Sequence, residues 1–515
     1  MDSSRLPNIN NIPLVTSSNP ARSDGTFDYE RCTTLHNFLV KYGWVGAGNL
    51  LRDLTHASFF EKHGDDAEEL RDRLQPQVTS FLTSIIIPEE TFFIWVEGVS
   101  EPSEMLQAEQ LIPGETDISP DRYLVLYSTN PGLGEHGVGV IYDQARNLAV
   151  LVLGIEDAEY VFPAETHTEL WQPLETILSN WIEMIRIGKV TTRKPVGHSG
   201  PAESDEEGSD TEGSGEDTES KDGDSESEDE DEVSASDDFD PNTNREYEPW
   251  VWHSYSDSQV DSTVSAFDRL VAAIEDRLPQ RPATTEETHL LSESDLDAAS
   301  VPKACFIRAF LAQARRPRFR NIAPGLLVPT RETFAADQKF TPRLEAVLEA
   351  GEPDRDGTLV PPVLIFATAY GRRADLDSLG DELSNPFVKH LALEDGDSGF
   401  PAGLYSESVE RTDIDGAEEG FRLILPFSLG QHARKSDGSL IEEGSIAGLF
   451  QHGYKPFGGE WWRAQRLERL FVRWRELVET GVWPVGSDGV AGSIDTFRDA
   501  DTASGWANYW IHPDW

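Results

Sequence analysis

The sequence predicts an α+β fold in two domains, each a small, mostly antiparallel sheet with packed helices, separated by a disordered acidic linker. Three observations carry this. The 38 residues from Glu203 to Asp240 are almost wholly Asp, Glu, Ser, Gly and Thr, too poor in apolar side chains to bury a core. On either side, apolar residues recur at helical spacing in some stretches and give way to short β-branched and aromatic runs in others. The length, 515 residues, exceeds what one ordinary core accommodates. The expected layout is a disordered tail over 1–26, a first domain over 27–198, the linker over 199–245 and a second domain over 246–515.

In the first half, Leu35, Phe38 and Leu39 predict a helix over Asp28 to Tyr42, stopped by Gly43. A second helix is expected after Gly48, using Leu50, Leu51, Leu54 and Phe59, and a third from Asp65 through Leu74, broken before Pro76. The period then changes. Phe92 to Val96, Tyr123 to Tyr127, Val138 to Tyr142, Leu148 to Leu153 and Tyr160 to Phe162 read as strands, with Tyr142 to Asn147 turning a hairpin. A closing helix over Thr168 to Ile187 carries Leu170, Trp171, Leu174, Ile177, Leu178, Trp181, Ile182 and Ile185 on one wide stripe, with Gly188 as its stop.

In the second half, Val260, Val264, Phe267, Leu270, Val271, Ile274 and Leu278 predict a helix over Ser258 to Leu278, ended by Pro279. Another is expected over Pro302 to Ala314. Strands follow at Val363 to Ala367, Phe421 to Phe427 and Ile446 to Phe450, and a last helix over Trp461 to Glu479 is stopped by Gly481.

The two closing helices agree residue by residue. Leu174-Glu175, Ile177-Leu178, Trp181, Glu183-Met184-Ile185 and Gly188 align without a gap to Leu467-Glu468, Leu470-Phe471, Trp474, Glu476-Leu477-Val478 and Gly481. Divergent duplication of one module is the sharper reading, and it expects the same fold on both sides of the linker; chance similarity between two amphipathic helices is the alternative. The leading helices, the Gly137 to Asp143 strand with its Tyr-Asp end, and the closing Trp-x-x-x-(Ile/Val)-x-x-Gly helix resemble the SUKH superfamily, which includes Smi/Knr-type fungal regulators of cell-wall synthesis. The resemblance implies a non-catalytic α+β module that binds other proteins, and it brings no catalytic residues with it.

Charge narrows the partners. The formal net charge is -50; between Glu203 and Asp240, 20 acidic residues face only Lys221, so -19 lies there and -31 elsewhere. Such a chain repels phosphate backbones and anionic lipid, which argues against nucleic acid and membrane and favours protein partners, basic ones among them. No apolar run is long enough to cross a bilayer, and the polar opening, Met1 to Leu14, lacks the apolar centre of a secretory signal. The two cysteines, Cys32 and Cys305, read as buried free thiols in helices. Together these point to the cytoplasm or nucleus.

Familiar catalytic patterns are absent or misplaced. Gly132 to Gly139 contains a GxGxxG string, but it enters a strand where a dinucleotide site needs it to open a helix; in a kinase-type loop the phosphate-pairing lysine position holds Leu151. Asp354 to Gly357 imitates a calcium loop, yet Val363 stands where the bidentate Glu belongs. No cofactor or metal site is expected. The residues left for an enzymatic alternative are His432, His452 and Glu460, in loops of the second half. Ser204, Ser209, Ser214, Ser225, Ser227 and Ser234 each precede an acidic residue by three positions, the pattern an acidophilic kinase prefers. Arg315, Arg316, Arg318 and Arg320 form the one basic cluster; it can complement a helix end, serve nuclear import or bind the acidic run. Trp506, Trp510 and Trp515 belong to an aromatic end that either packs back on the second domain or lines a partner groove. The leading reading is a non-enzymatic interaction or regulatory protein. An enzyme with its site in the second half and an acidic chaperone for basic proteins are the alternatives.

Overall fold

The computed structural model describes residues 5–107, 121–130, 137–154, 157–194, 247–280, 289–342, 358–375, 399–411, 416–459 and 464–513. The linker and its six serines lie outside them. The described residues form an α+β fold, as predicted.

The chain enters helix α1, Tyr29–Gly46, at Asp28, whose carboxylate accepts from the Arg31 N–H. Gly43 does not stop it. The glycine lets the helix meet the Trp250 ring, which a Cβ there would approach to 3.1 Å. After Gly48 there is only a single 3-10 turn, Leu51–Asp53. Helix α2, Phe59–Leu70, begins at a capping box of Ser58 and Glu61. Pro76, read from sequence as a break, is the first residue of a further helix, α3, Pro76–Ser84, where its missing N–H is no loss.

Strands β1 (Val96–Val99), β2 (Tyr123–Thr129), β3 (Gly137–Asp143) and β4 (Leu148–Gly154) make an antiparallel meander in that order. Two expectations shift. Phe92 and Phe93 form a turn leading into β1, with Phe93 bridging Val96, and Tyr160 lies in a short helix, Ala158–Val161. The β3–β4 turn falls where the turn residues put it. The Asp143 side chain, fully buried, accepts from the Ala145 and Arg146 N–H groups and pairs with Arg122 at 2.8 Å, while Asn147 adopts φ 56°. Helix α4 runs over Leu174–Arg186, later than Thr168 because Pro173 caps it and Gln172 bridges Ala149 of β4. Its apolar stripe, including Ile177, Leu178, Trp181 and Ile182, is buried and packs on α1.

Strand β5 (Val190–Thr192) pairs antiparallel with β6 (Trp250–Trp252), Val190 opposite Trp252 and Thr192 opposite Trp250. The described residues on either side of 195–246 are therefore adjacent. Tyr247 and Trp250, which follow it in sequence, lie in the core of the first half, and the Trp250 indole N–H donates to Thr91 O at 2.8 Å.

The second half also opens on helices. Helix α5, Asp257–Glu275, starts at a capping box of Ser256 and Gln259. Helix α6 covers Phe306–Gln313, with Cys305 as its N-cap residue and not inside the helix as expected. Strands β7 (Leu364–Ala367), β8 (Gly403–Ser406) and β9 (Phe421–Ile424) form a three-stranded antiparallel sheet in that order, with Arg373–Asp375 and Gly399–Pro401 pairing separately between the first two. Ile446 to Phe450 is no strand; it is a run of turns whose Ile446 carbonyl accepts from the Leu425 N–H at 2.9 Å. Helix α8, Leu467–Glu479, starts later than Trp461 and packs on α5 as α4 does on α1. The C-terminal caps of α4 and α8 match bond for bond. Ile187 N–H donates to Glu183 and Ile185, Thr480 N–H to Glu476 and Val478, and Gly188 and Gly481 follow at φ 75° and 77°.

The halves touch through buried polar contacts. The Trp181 indole donates to Phe457 O at 2.8 Å, and the Tyr454 hydroxyl to Leu151 O at 3.0 Å. Lys189, after α4, reaches Glu419, before β9, at 2.9 Å with both side chains almost fully buried. Glu419 also accepts from Gln259 at 2.8 Å, and Lys189 donates to Ser254 O at 2.8 Å. A buried ion pair tolerates its desolvation only when its remaining donors and acceptors are satisfied in this way.

Candidate functional site

Two elements, the first of them passed over by the sequence reading, frame a cleft of about 580 Å³ in the second half. One is helix α7, Arg331–Asp337, inserted here between α6 and β7. Thr330 opens it, its hydroxyl accepting from the Thr333 N–H at 3.3 Å, and Phe334 is its buried residue. The other is β7, at one side of its three-stranded sheet among the described residues; just past it Thr368 bridges Leu326. Gln338 leaves the helix in extended conformation and turns its amide onto β7. Its Oε1 accepts from the Leu364 N–H at 2.9 Å and its Nε2 donates to Leu364 O at 3.1 Å. A buried side chain thus supplies the two bonds that a neighbouring strand would make.

The floor is apolar, built from Leu327, Phe334, Leu364, Ile365 and Pro401. Among the described residues the rim is charged, with Arg320, Lys339 and Arg373 beside one carboxylate, Asp337. Burial raises the Asp337 carboxyl above its ordinary range, opposed by Lys339. Arg373 also donates to Gly399 O, holding the strand that follows. At the mouth stands Tyr370, 99% exposed, with φ 65° ahead of Gly371 at φ 60°. The turn is anchored by the Ala369 N–H on Gly325 O at 2.8 Å. Volume, apolar floor and a few converging polar groups are the features of a ligand site, and a carboxyl perturbed by burial adds to them.

The candidates from sequence lie elsewhere, except for Arg320. His432 is exposed; its backbone N–H, with those of Gln431 and Ala433, binds the Asp501 carboxylate at 2.6 to 3.0 Å. These bonds hold Asp501 below the usual carboxylate range although burial opposes them. His452 is buried, with Nδ1 3.4 Å from Gln465 Nε2. The two imidazoles thus occupy different surroundings, and Glu460 lies outside the described residues. Among the described residues no cluster of His, Cys, Asp and Glu could hold a metal ion. Both cysteines are buried and free.

The basic cluster divides. Arg315 pairs with Glu275 at 3.0 Å, and Arg316 donates to Leu290 O and Pro329 O; Arg318 and Arg320 are exposed. The aromatic end packs back on the second half, as one of its two readings expected. Tyr509 is buried against Phe450, Trp483 and Phe497, the Trp510 indole donates to Lys435 O at 2.8 Å, and the Arg434 guanidinium lies 5.1 Å from the Trp506 ring centre. Trp515 lies outside the described residues. No described helix is long and apolar enough to cross a membrane. Comparisons with protein-family models, with characterised proteins and with solved structures find no match to this chain.

Proposed function

We propose that this chain is a non-enzymatic protein-interaction or regulatory protein of the cytoplasm or nucleus, whose second half receives a partner in the cleft beside β7. Tyr370 carries the reading. A left-handed backbone costs an L-residue roughly 1–2 kcal/mol, and a ring 99% exposed returns almost nothing to the fold. Strained residues of this kind concentrate where a protein binds something. Tyrosine suits the task, offering a large rigid face at low entropic cost. Leading helices, an antiparallel sheet and a closing helix in each half are in keeping with the protein-binding module implied by the SUKH resemblance. The acidic run, with its six candidate phosphorylation serines, is proposed as a regulatory segment entering and leaving beside the paired strands β5 and β6.

The test is affinity capture with the full chain, wild type against Tyr370→Gly, followed by mass spectrometry. The reading expects specific proteins to be lost from the variant while its folding stability is kept or raised. An identical set of retained proteins would sink it.

A further inference from the structure

We infer that the cleft selects an acidic peptide carrying one apolar anchor residue, supplied by another protein. This rests on the reading of the cleft as a partner site and adds the chemistry of the partner. Three features of the site lead to it. First, Tyr370 stands at the mouth with its ring 99% exposed, a rigid face on which a peptide side chain can pack. The Gln338 amide already bonds both the Leu364 N–H and O, so such a peptide is held by its side chains and not by pairing with β7. Second, the floor formed by Phe334, Leu364 and its neighbours has room for an apolar side chain. Third, among the described residues three cations and a single carboxylate line the site, in a chain whose net charge is -50.

The overall charge would repel an acidic ligand at long range. At physiological ionic strength, however, exposed charges are screened beyond about 8 Å, so a bound peptide is governed by the rim. A nucleic acid would meet the same cations, but its bases carry polar edges that an apolar floor leaves unpaired.

Fluorescence anisotropy on the full chain tests this with labelled heptapeptides. The probes are Glu-Asp-Glu-Phe-Glu-Asp-Glu, the same peptide with Gly for Phe, one with Ser for every acid, and a single-stranded oligonucleotide. The first should bind, and loss of either its acids or its Phe should weaken it about tenfold. The double variant Arg320→Glu/Lys339→Glu, altered at two rim positions, should lose about the same factor with an unchanged circular dichroism spectrum. Equal binding of the Ser peptide, untouched by charge reversal, overturns acidic selection while leaving peptide binding intact. Binding by no peptide overturns both readings, and preference for the oligonucleotide overturns the peptide assignment. A further arm replaces residues 203–240 by a Gly-Ser segment of equal length. If the acidic peptide binds only then, the cleft belongs to the chain's own acidic run and recognition of another protein is refuted.

Discussion

Replacing Lys189 by Met probes how the two halves are held together. The Lys189 ammonium lies 2.9 Å from Glu419 Oε2 and donates to Ser254 O, and it sits 4.7 Å from the Trp252 ring centre. At an effective dielectric constant of about 20, unit charges at that separation attract by about 6 kcal/mol before desolvation is counted. Removing one partner leaves the other buried and uncompensated, which costs about 3–5 kcal/mol. In Lys189→Met the stranded group is Glu419, with only the Gln259 amide on its other oxygen. Adding Glu419→Gln removes the stranded charge, so the double variant should be less destabilised than the two singles summed, by at least about 1.5 kcal/mol. Urea unfolding followed by tryptophan fluorescence at pH 7 reads both quantities. A single variant within about 0.5 kcal/mol of wild type, or strictly additive effects, would refute the argument that this pair joins the halves.

Three further outcomes follow from the geometry. His36 is fully buried, its Nδ1 2.9 Å from the Tyr127 hydroxyl and its Nε2 2.9 Å from Ile86 O, and burial lowers its pKa to about 4. The unfolded chain takes up that proton near pH 6.5, so stability is fully present above pH 6.5 and falls as pH drops to about 4, by about 3 kcal/mol; His36→Gln should flatten this slope in urea titrations, and equal slopes would count against it. Gly458 has φ 114°, and a Cβ there would come 2.3 Å from the Trp95 ring, so Gly458→Ala should cost about 2–3 kcal/mol and alter the near-ultraviolet dichroism of the buried tryptophans. Tyr370→Gly should raise stability by roughly 0.5–1 kcal/mol, the backbone relief less the added freedom of unfolded glycine, and calorimetry showing a loss would contradict the strain at that residue.

Much of the framework was legible because its cause is local. The stripes of α4 and α8 repeat every three to four residues, and Gly188 and Gly481 adopt the left-handed conformation that their place after a helix demands. The β3–β4 turn announces itself through Asp143 and Asn147. The misreadings arose where one residue type serves two purposes. Pro76 can end a helix or begin one, and Gly43 can stop a helix or let a tryptophan approach it. The site was hidden for a different reason: its floor, its rim and Gln338 come from segments between Arg320 and Pro401 that share no spacing or motif. Lys189 and Glu419, 230 residues apart, look like ordinary surface charges until the fold buries them. Tyr370 looked like any loop residue, since only the backbone angle and the exposure of its ring set it apart.

The account stands or falls on whether the cleft receives a protein segment. A photo-crosslinking phenylalanine analogue placed at position 370 of the full chain, irradiated in cell extract and mapped by mass spectrometry, reads this directly. The same analogue at Leu440, 49% exposed and not among the cleft residues, is the control. The account predicts adducts at 370, absent at 440, on segments rich in Asp and Glu around an apolar residue. Adducts no more frequent at 370 than at 440 would contradict it.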